Sequence, residues 1–79
     1  MTKEQVFGNL KEILSVMRPN TDLTNVNYDT ELVRELGIDS LMMMLMSLAL
    51  EEKFNFRFPD NQPPFHTVGE VCDYIASLT

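Results

Sequence analysis

Cations are scarce in this chain of 79 residues: six Lys and Arg stand against twelve Asp and Glu, a formal charge of −6. That balance argues against a nucleic-acid backbone or an anionic membrane surface as partner, and favours partners with basic docking faces. Cysteine is nearly missing too. With Cys72 alone and no apolar signal segment, a reducing, cytoplasmic setting is expected. No long hydrophobic run is present: the longest nearly apolar stretch, Leu41 to Leu50, is about half of the ~20 residues a membrane helix needs. It contains Ser47 and runs into charges, so no membrane insertion is expected. Histidine is limited to His66, in a loop with no evident orienting carboxylate. The Gly-x-Ser-x-Gly elbow of a hydrolase is absent, since Ser40 is framed by Ile38-Asp39 and Leu41-Met42. A serine without an activating base is a weak nucleophile, which argues against catalysis here. No spacing of Cys, His, Asp and Glu resembles a metal site, and the acids lack the calcium-loop pattern. Internal repeats and low-complexity segments are also lacking. The length allows one domain, residues 1–79, with a small core, expected to be a monomer.

What is present is helical periodicity. Thr2-Lys3-Glu4-Gln5 fits a capping box, and Val6, Phe7, Leu10, Ile13, Leu14 and Met17 follow at helical spacing until Pro19 stops them. Residues 18–39, rich in Asn, Asp and Thr, read as a long loop. Leu23, Val26 and Tyr28 are positioned to pin it to the core, and Thr30 to cap a short turn over 30–36 carrying Leu32, Val33 and Leu36. A second helix is predicted over about 40–54, a loop over 55–66 and a final helix over about 68–78. The last helix starts from a second capping box, Thr67-Val68-Gly69-Glu70, and its core stripe is Val68, Val71, Cys72, Ile75 and Leu78. The fold class is therefore all-α: a small up-and-down bundle of three main helices with a long first loop and a short extra turn or helix.

The second helix start carries the chemistry. Gly37 suits the left-handed conformation that ends a turn. Asp39 is a good N-cap, and Ile38 before it is placed to pack on Met43 as a hydrophobic staple. Ser40 then takes the first helical position, its hydroxyl beside unpaired N–H groups and the positive end of the helix dipole, a setting that favours a covalently attached phosphate.

At these residues, Leu36-Gly37-Ile38-Asp39-Ser40-Leu41, the chain resembles the prosthetic-group attachment motif of the acyl carrier protein family. Leu50-Glu51-Glu52-Lys53-Phe54, Phe58-Pro59-Asp60 and Asp73-Tyr74-Ile75 fall about where that family has similar residues, so the match runs from roughly Glu31 to Ile75. The resemblance implies that a separate phosphopantetheinyl transferase moves phosphopantetheine from coenzyme A onto Ser40, flanked by Asp39 and Leu41 of the motif. It implies a non-catalytic carrier that presents acyl thioesters to acyl-loading, condensing or acyl-transfer enzymes in a specialised fatty-acid, lipid or polyketide pathway. The alternatives are an aminoacyl or peptidyl carrier, or an unmodified helical interaction module using the Met-rich face of the second helix. Family members usually have a short helix within the 55–66 region. Pro63-Pro64 disfavours helical geometry there, so at most one irregular turn is expected.

That second helix is apolar all round. Its last turn leaves only Leu50 and Phe54 to face the core, and projection at ~3.6 residues per turn adds Met43, Met46 and Ser47. Met42, Leu45 and Ala49 fall opposite, where a solvated helix should be polar. Typical fatty-acid members of the family place docking acids at the positions of Met42 and Leu45; here Glu35, Asp39, Glu51 and Glu52 remain as candidate docking acids. Either Met42, Leu45 and Ala49 form an apolar docking patch for a dedicated partner, or the long loop covers them. The resemblance further implies a core that opens to shelter an acyl chain, with Met43, Met46, Leu50, Phe54, Phe58 and Phe65 as its lining.

Overall fold

α1 (Lys3–Met17) begins at a reciprocal cap: Thr2 Oγ1 accepts from the Gln5 N–H, and the Gln5 side chain accepts from the Thr2 N–H. Its buried row, Val6, Leu10 and Leu14, recurs every four residues, and Pro19 follows the C-cap residue Arg18. The computed structural model describes residues 2–78, which contain two further helices, α2 (Ser40–Phe54) and α3 (Val68–Leu78), and no strand. α1 packs against both α2 and α3. The core is closed by Met46 and Leu50 from α2 and by Val68, Val71, Cys72 and Ile75 from α3, together with Leu32, Leu36 and Ile38 from the connecting segment. Leu78, expected on the α3 stripe, is exposed at the helix end.

The segment between α1 and α2 is long but tied down. Leu23, Val26 and Tyr28 pack on the core, and the Phe7 and Tyr28 rings meet at 4.9 Å. Backbone bonds then lace the loop to the start of α3: Gly69 N–H to the Tyr28 carbonyl (2.8 Å), Val68 N–H to the Thr30 carbonyl (3.0 Å) and Leu32 N–H to the His66 carbonyl (2.9 Å). Glu31 and Thr67 form an isolated antiparallel bridge there. This lacing satisfies loop backbone groups that a small core could not bury unpaired.

Residues 31–36 form a hydrogen-bonded turn, and no fourth helix is present among the described residues. The hydroxyl of Thr30 accepts from the Asn27 N–H behind it, at 2.9 Å. The cap on the 31–36 turn comes instead from Glu35, whose carboxylate accepts from the Glu31 N–H at 2.7 Å. At α3 the Thr67 hydroxyl accepts from the Glu70 N–H (3.2 Å), but the Glu70 side chain reaches one residue further back, to the His66 N–H (2.8 Å). Between α2 and α3 the chain makes a single turn near Asp60–Asn61, with the Gln62 N–H bonded to the Pro59 carbonyl.

Candidate functional site

Four consecutive residues build the α2 start. Gly37 has φ +67° and closes the 31–36 turn, its N–H bonded to the Val33 carbonyl at 3.2 Å and that of Ile38 to the Leu32 carbonyl at 3.0 Å. Ile38 is buried, which fixes the direction in which the chain emerges. Asp39 is extended, and its carboxylate accepts from the Met42 N–H at 2.8 Å. Ser40, the first helical residue, is exposed. Asp39 is thus spent on capping, leaving the Ser40 hydroxyl free toward solvent at the positive end of the helix.

A groove of about 640 Å³ runs from Ser40 along α2, within the size range of small-molecule sites. Its α2 side is Ser40, Met43, Met44 and Ser47; the opposite wall is Phe58, Pro59, Gln62 and Pro63 to Phe65; Val33 and Ile38 close one end. Behind the wall, Phe58 packs on Phe56 (4.7 Å), Tyr74 (5.4 Å) and Phe65 (5.8 Å between ring centroids). Of the residues expected to line an acyl site, Met43, Phe58 and Phe65 meet in this groove. Met46 and Leu50 do not: both are fully enclosed in the core, and Phe54 is half-buried on the core outside the groove. Val33, Met44, Ser47, Pro59 and Gln62 to Pro64 were not among the expected lining, because nothing periodic links the 31–36 turn, α2 and the 58–65 segment.

The expected docking residues also divide. Met42 is half-buried against the core, its sulfur met by an Arg18 guanidinium N–H at 3.8 Å, and Ala49 is half-buried. Only Leu45 of that trio is open. The exposed stripe is instead Leu41 (60%), Met44 (54%), Leu45 (48%) and Leu48 (54%), spaced three and four residues apart along one helix face. The register of Met46 and Leu50 in the core sets that face on the outside. Glu52 continues the row and is exposed; Glu35 is exposed while capping its own turn. Glu51 is half-buried, and its carboxylate accepts from the Phe58 N–H at 2.7 Å.

His66 is exposed and does not line the groove beside Ser40. Cys72 is buried, and burial pushes its thiol up to about 11, the opposite of what a reactive thiol needs. Among the described residues no cluster of His, Cys, Asp or Glu has the arrangement of a metal site, and no helix is long and apolar enough to cross a membrane.

An exposed serine hydroxyl on a capped helix start, with an apolar groove beside it, fits a tethered phosphopantetheine: an anchoring oxygen, a helix end suited to phosphate and space for an arm. Residues 5–75 match the family described as "Phosphopantetheine attachment site". Over 71 residues the chain is 38% identical to the acyl carrier protein of Wolinella succinogenes, covering 89% of this chain and 92% of that one. The acyl carrier protein of Acidothermus cellulolyticus is 35% identical over 82 residues, covering 100% of this chain and 94% of the relative. The mitochondrial acyl carrier protein of Saccharomyces cerevisiae is 32% identical over 81 residues, spanning 98% of this chain and 65% of the relative. With the family match extending over most of its length, this chain belongs to the phosphopantetheine-attachment family: it is an acyl carrier whose prosthetic group is phosphopantetheine.

Proposed function

We propose that Ser40 is the residue that bears the phosphopantetheine arm, with Asp39 and Leu41 completing the attachment motif. The observation that carries this reading is the exposed Ser40 hydroxyl at the head of a helix already capped by its neighbour. When bound, the group supplies a terminal thiol that holds an acyl chain as a thioester at high effective concentration near a partner's active site. The chain's own part is mechanical. Ile38 in the core and the Asp39 cap hold the anchoring oxygen outward, and the groove walls give the arm and its cargo an apolar surface.

As membership of the family implies, a separate phosphopantetheinyl transferase drawing on coenzyme A makes the modification. Acyl-loading, condensing or acyl-transfer enzymes of a specialised fatty-acid, lipid or polyketide pathway use the loaded form. They dock on the stripe Leu41, Met44, Leu45 and Leu48, with Glu52 at its far end meeting a basic residue of the partner. The departure of this stripe from an acidic face supports dedicated partners. A net charge of −6 and a single, buried cysteine support a monomer in a reducing cytoplasm.

Intact-mass measurement after incubation with coenzyme A and a broad-specificity phosphopantetheinyl transferase tests the attachment. One phosphopantetheine adduct is expected on the unaltered protein and none on a folded Ser40→Ala variant. An adduct that survives that substitution would overturn the assignment.

A further inference from the structure

The wall opposite α2 packs through its rings but has few hydrogen bonds to hold its backbone. Pro59, Pro63 and Pro64 have no N–H to give. Among the described residues, the hydrogen bonds within the Phe58–Phe65 wall are those of Gln62, from its N–H to the Pro59 carbonyl and from its side chain to the Pro63 carbonyl. The far end is held beyond the wall, at His66, whose carbonyl accepts from the Leu32 N–H and whose N–H donates to Glu70. At the near end Glu51 does the holding. Its carbonyl accepts from the N–H groups of Asn55 and Phe56 (3.2 Å for Phe56), and its carboxylate accepts from that of Phe58 at 2.7 Å. Asn55, at φ 56°, turns the chain so that these donors point back at the helix end. The carboxylate bond is half-buried, so losing it would leave the Phe58 N–H poorly satisfied. Its neighbour Glu52 is exposed, and its side chain makes no hydrogen bond or ion pair among the described residues.

The geometry points to Glu51 as a positioning residue for cargo. By clamping the Phe58 backbone it fixes how far Phe58 and Pro59 stand from Met43, Met44 and Ser47, and so sets how closely the groove encloses a tethered acyl chain. This rests on the reading of the groove as the place where cargo lies. Two adjacent acids that look alike in sequence then have separate tasks, Glu51 inward for shelter and Glu52 outward for partners.

Reach and charge can be separated. Glu51→Asp keeps the charge but withdraws the carboxylate by one methylene; Glu51→Gln drops the charge but keeps an acceptor oxygen at full reach. Each variant, with Glu52→Gln as control, is loaded through the transferase with phosphopantetheine bearing an octanoyl thioester. Amide shifts, Phe58 amide exchange and thioester hydrolysis are then recorded. In the parent, octanoylation shifts the amides of Val33, Ser47 and Phe58 relative to the unacylated form, and hydrolysis is slower than for free octanoyl-pantetheine. In Glu51→Asp, Phe58 exchange rises about tenfold and hydrolysis about threefold, the scale of one lost hydrogen bond. Glu51→Gln and Glu52→Gln stay within about twofold of the parent. The reverse ordering of Asp and Gln, or hydrolysis unchanged when Phe58 exchange rises, overturns the inference. Absence of groove shifts in the parent overturns the cargo reading instead, and shows itself before any variant is compared.

Discussion

The same substitution, glycine to alanine, should have opposite signs at the two helical glycines. In α1, Gly8 is exposed, and a Cβ built there meets nothing within 4 Å. Gly8→Ala gains only the helix propensity difference, about 1 kcal/mol of added stability at most. In the first turn of α3, a Cβ on Gly69 would stand 2.7 Å from the Tyr28 carbonyl oxygen and 3.1 Å from the Tyr28 Cβ. The obstacle is backbone, held to Gly69 by its own 2.8 Å hydrogen bond and to the next residues by the Val68–Thr30 and Leu32–His66 bonds. It cannot rotate aside. Overpacking of this kind costs about 1–3 kcal/mol, and weakening the Gly69–Tyr28 bond costs about another 1 kcal/mol. Setting these against the propensity gain leaves a net loss of about 1–3 kcal/mol. For a chain this size that lowers the midpoint by at least about 4–8 °C, the shift expected for each 1 kcal/mol. Urea unfolding followed by far-UV circular dichroism reads both variants directly. Because the displaced loop leads through Leu32 and Leu36 to Gly37 and Asp39, Gly69→Ala should also slow modification at Ser40, whereas Gly8→Ala should not. A Gly69→Ala protein as stable as Gly8→Ala would refute the claim that the loop rides on that glycine.

The exposed stripe and the buried thiol give two further expectations. Leu45→Glu with Leu48→Glu should leave unfolding stability within about 1 kcal/mol of the parent, two surface changes of about 0.5 kcal/mol each, while raising the KM of a native partner enzyme for the loaded carrier. An unchanged KM in the folded double variant would remove the stripe from the docking surface. Cys72 should react with an alkylating reagent only as the protein unfolds. Its thiol is held protonated to about 11 in the fold but ionises near 9.0 when free, so between those values the unfolded state gains by losing a proton and stability should fall as pH rises. Replacing Cys72 with Ala should flatten that part of the stability–pH curve.

How much of this was readable beforehand depended on whether the determining interaction was local. The Thr2–Gln5 cap and the rows Val6-Leu10-Leu14 and Val71-Cys72-Ile75 are written within a few residues of one another, and α1 and α3 follow from them. The Ser40 setting is legible for the same reason, since Gly37, Ile38 and Asp39 act through their immediate neighbours. In α2 the pattern carries no phase, because apolar residues surround the axis. Anchoring the face on Leu50 and Phe54 recovered Met46 but could not foresee Arg18 over Met42, a contact across 24 residues. The groove escaped for a related reason. Glu51 reads as one more solvated acid in Glu51-Glu52-Lys53, and a carboxylate that accepts from an N–H seven residues on has no periodic signature. The role of Gly69 was equally hidden, because the Tyr28 backbone that approaches it lies far off in the chain. The setting proposed for the arm's anchor is therefore legible in the sequence, a matter of caps and turns. The groove proposed for its cargo depends on pairings between segments far apart in the chain, and those emerge only once the segments are folded together.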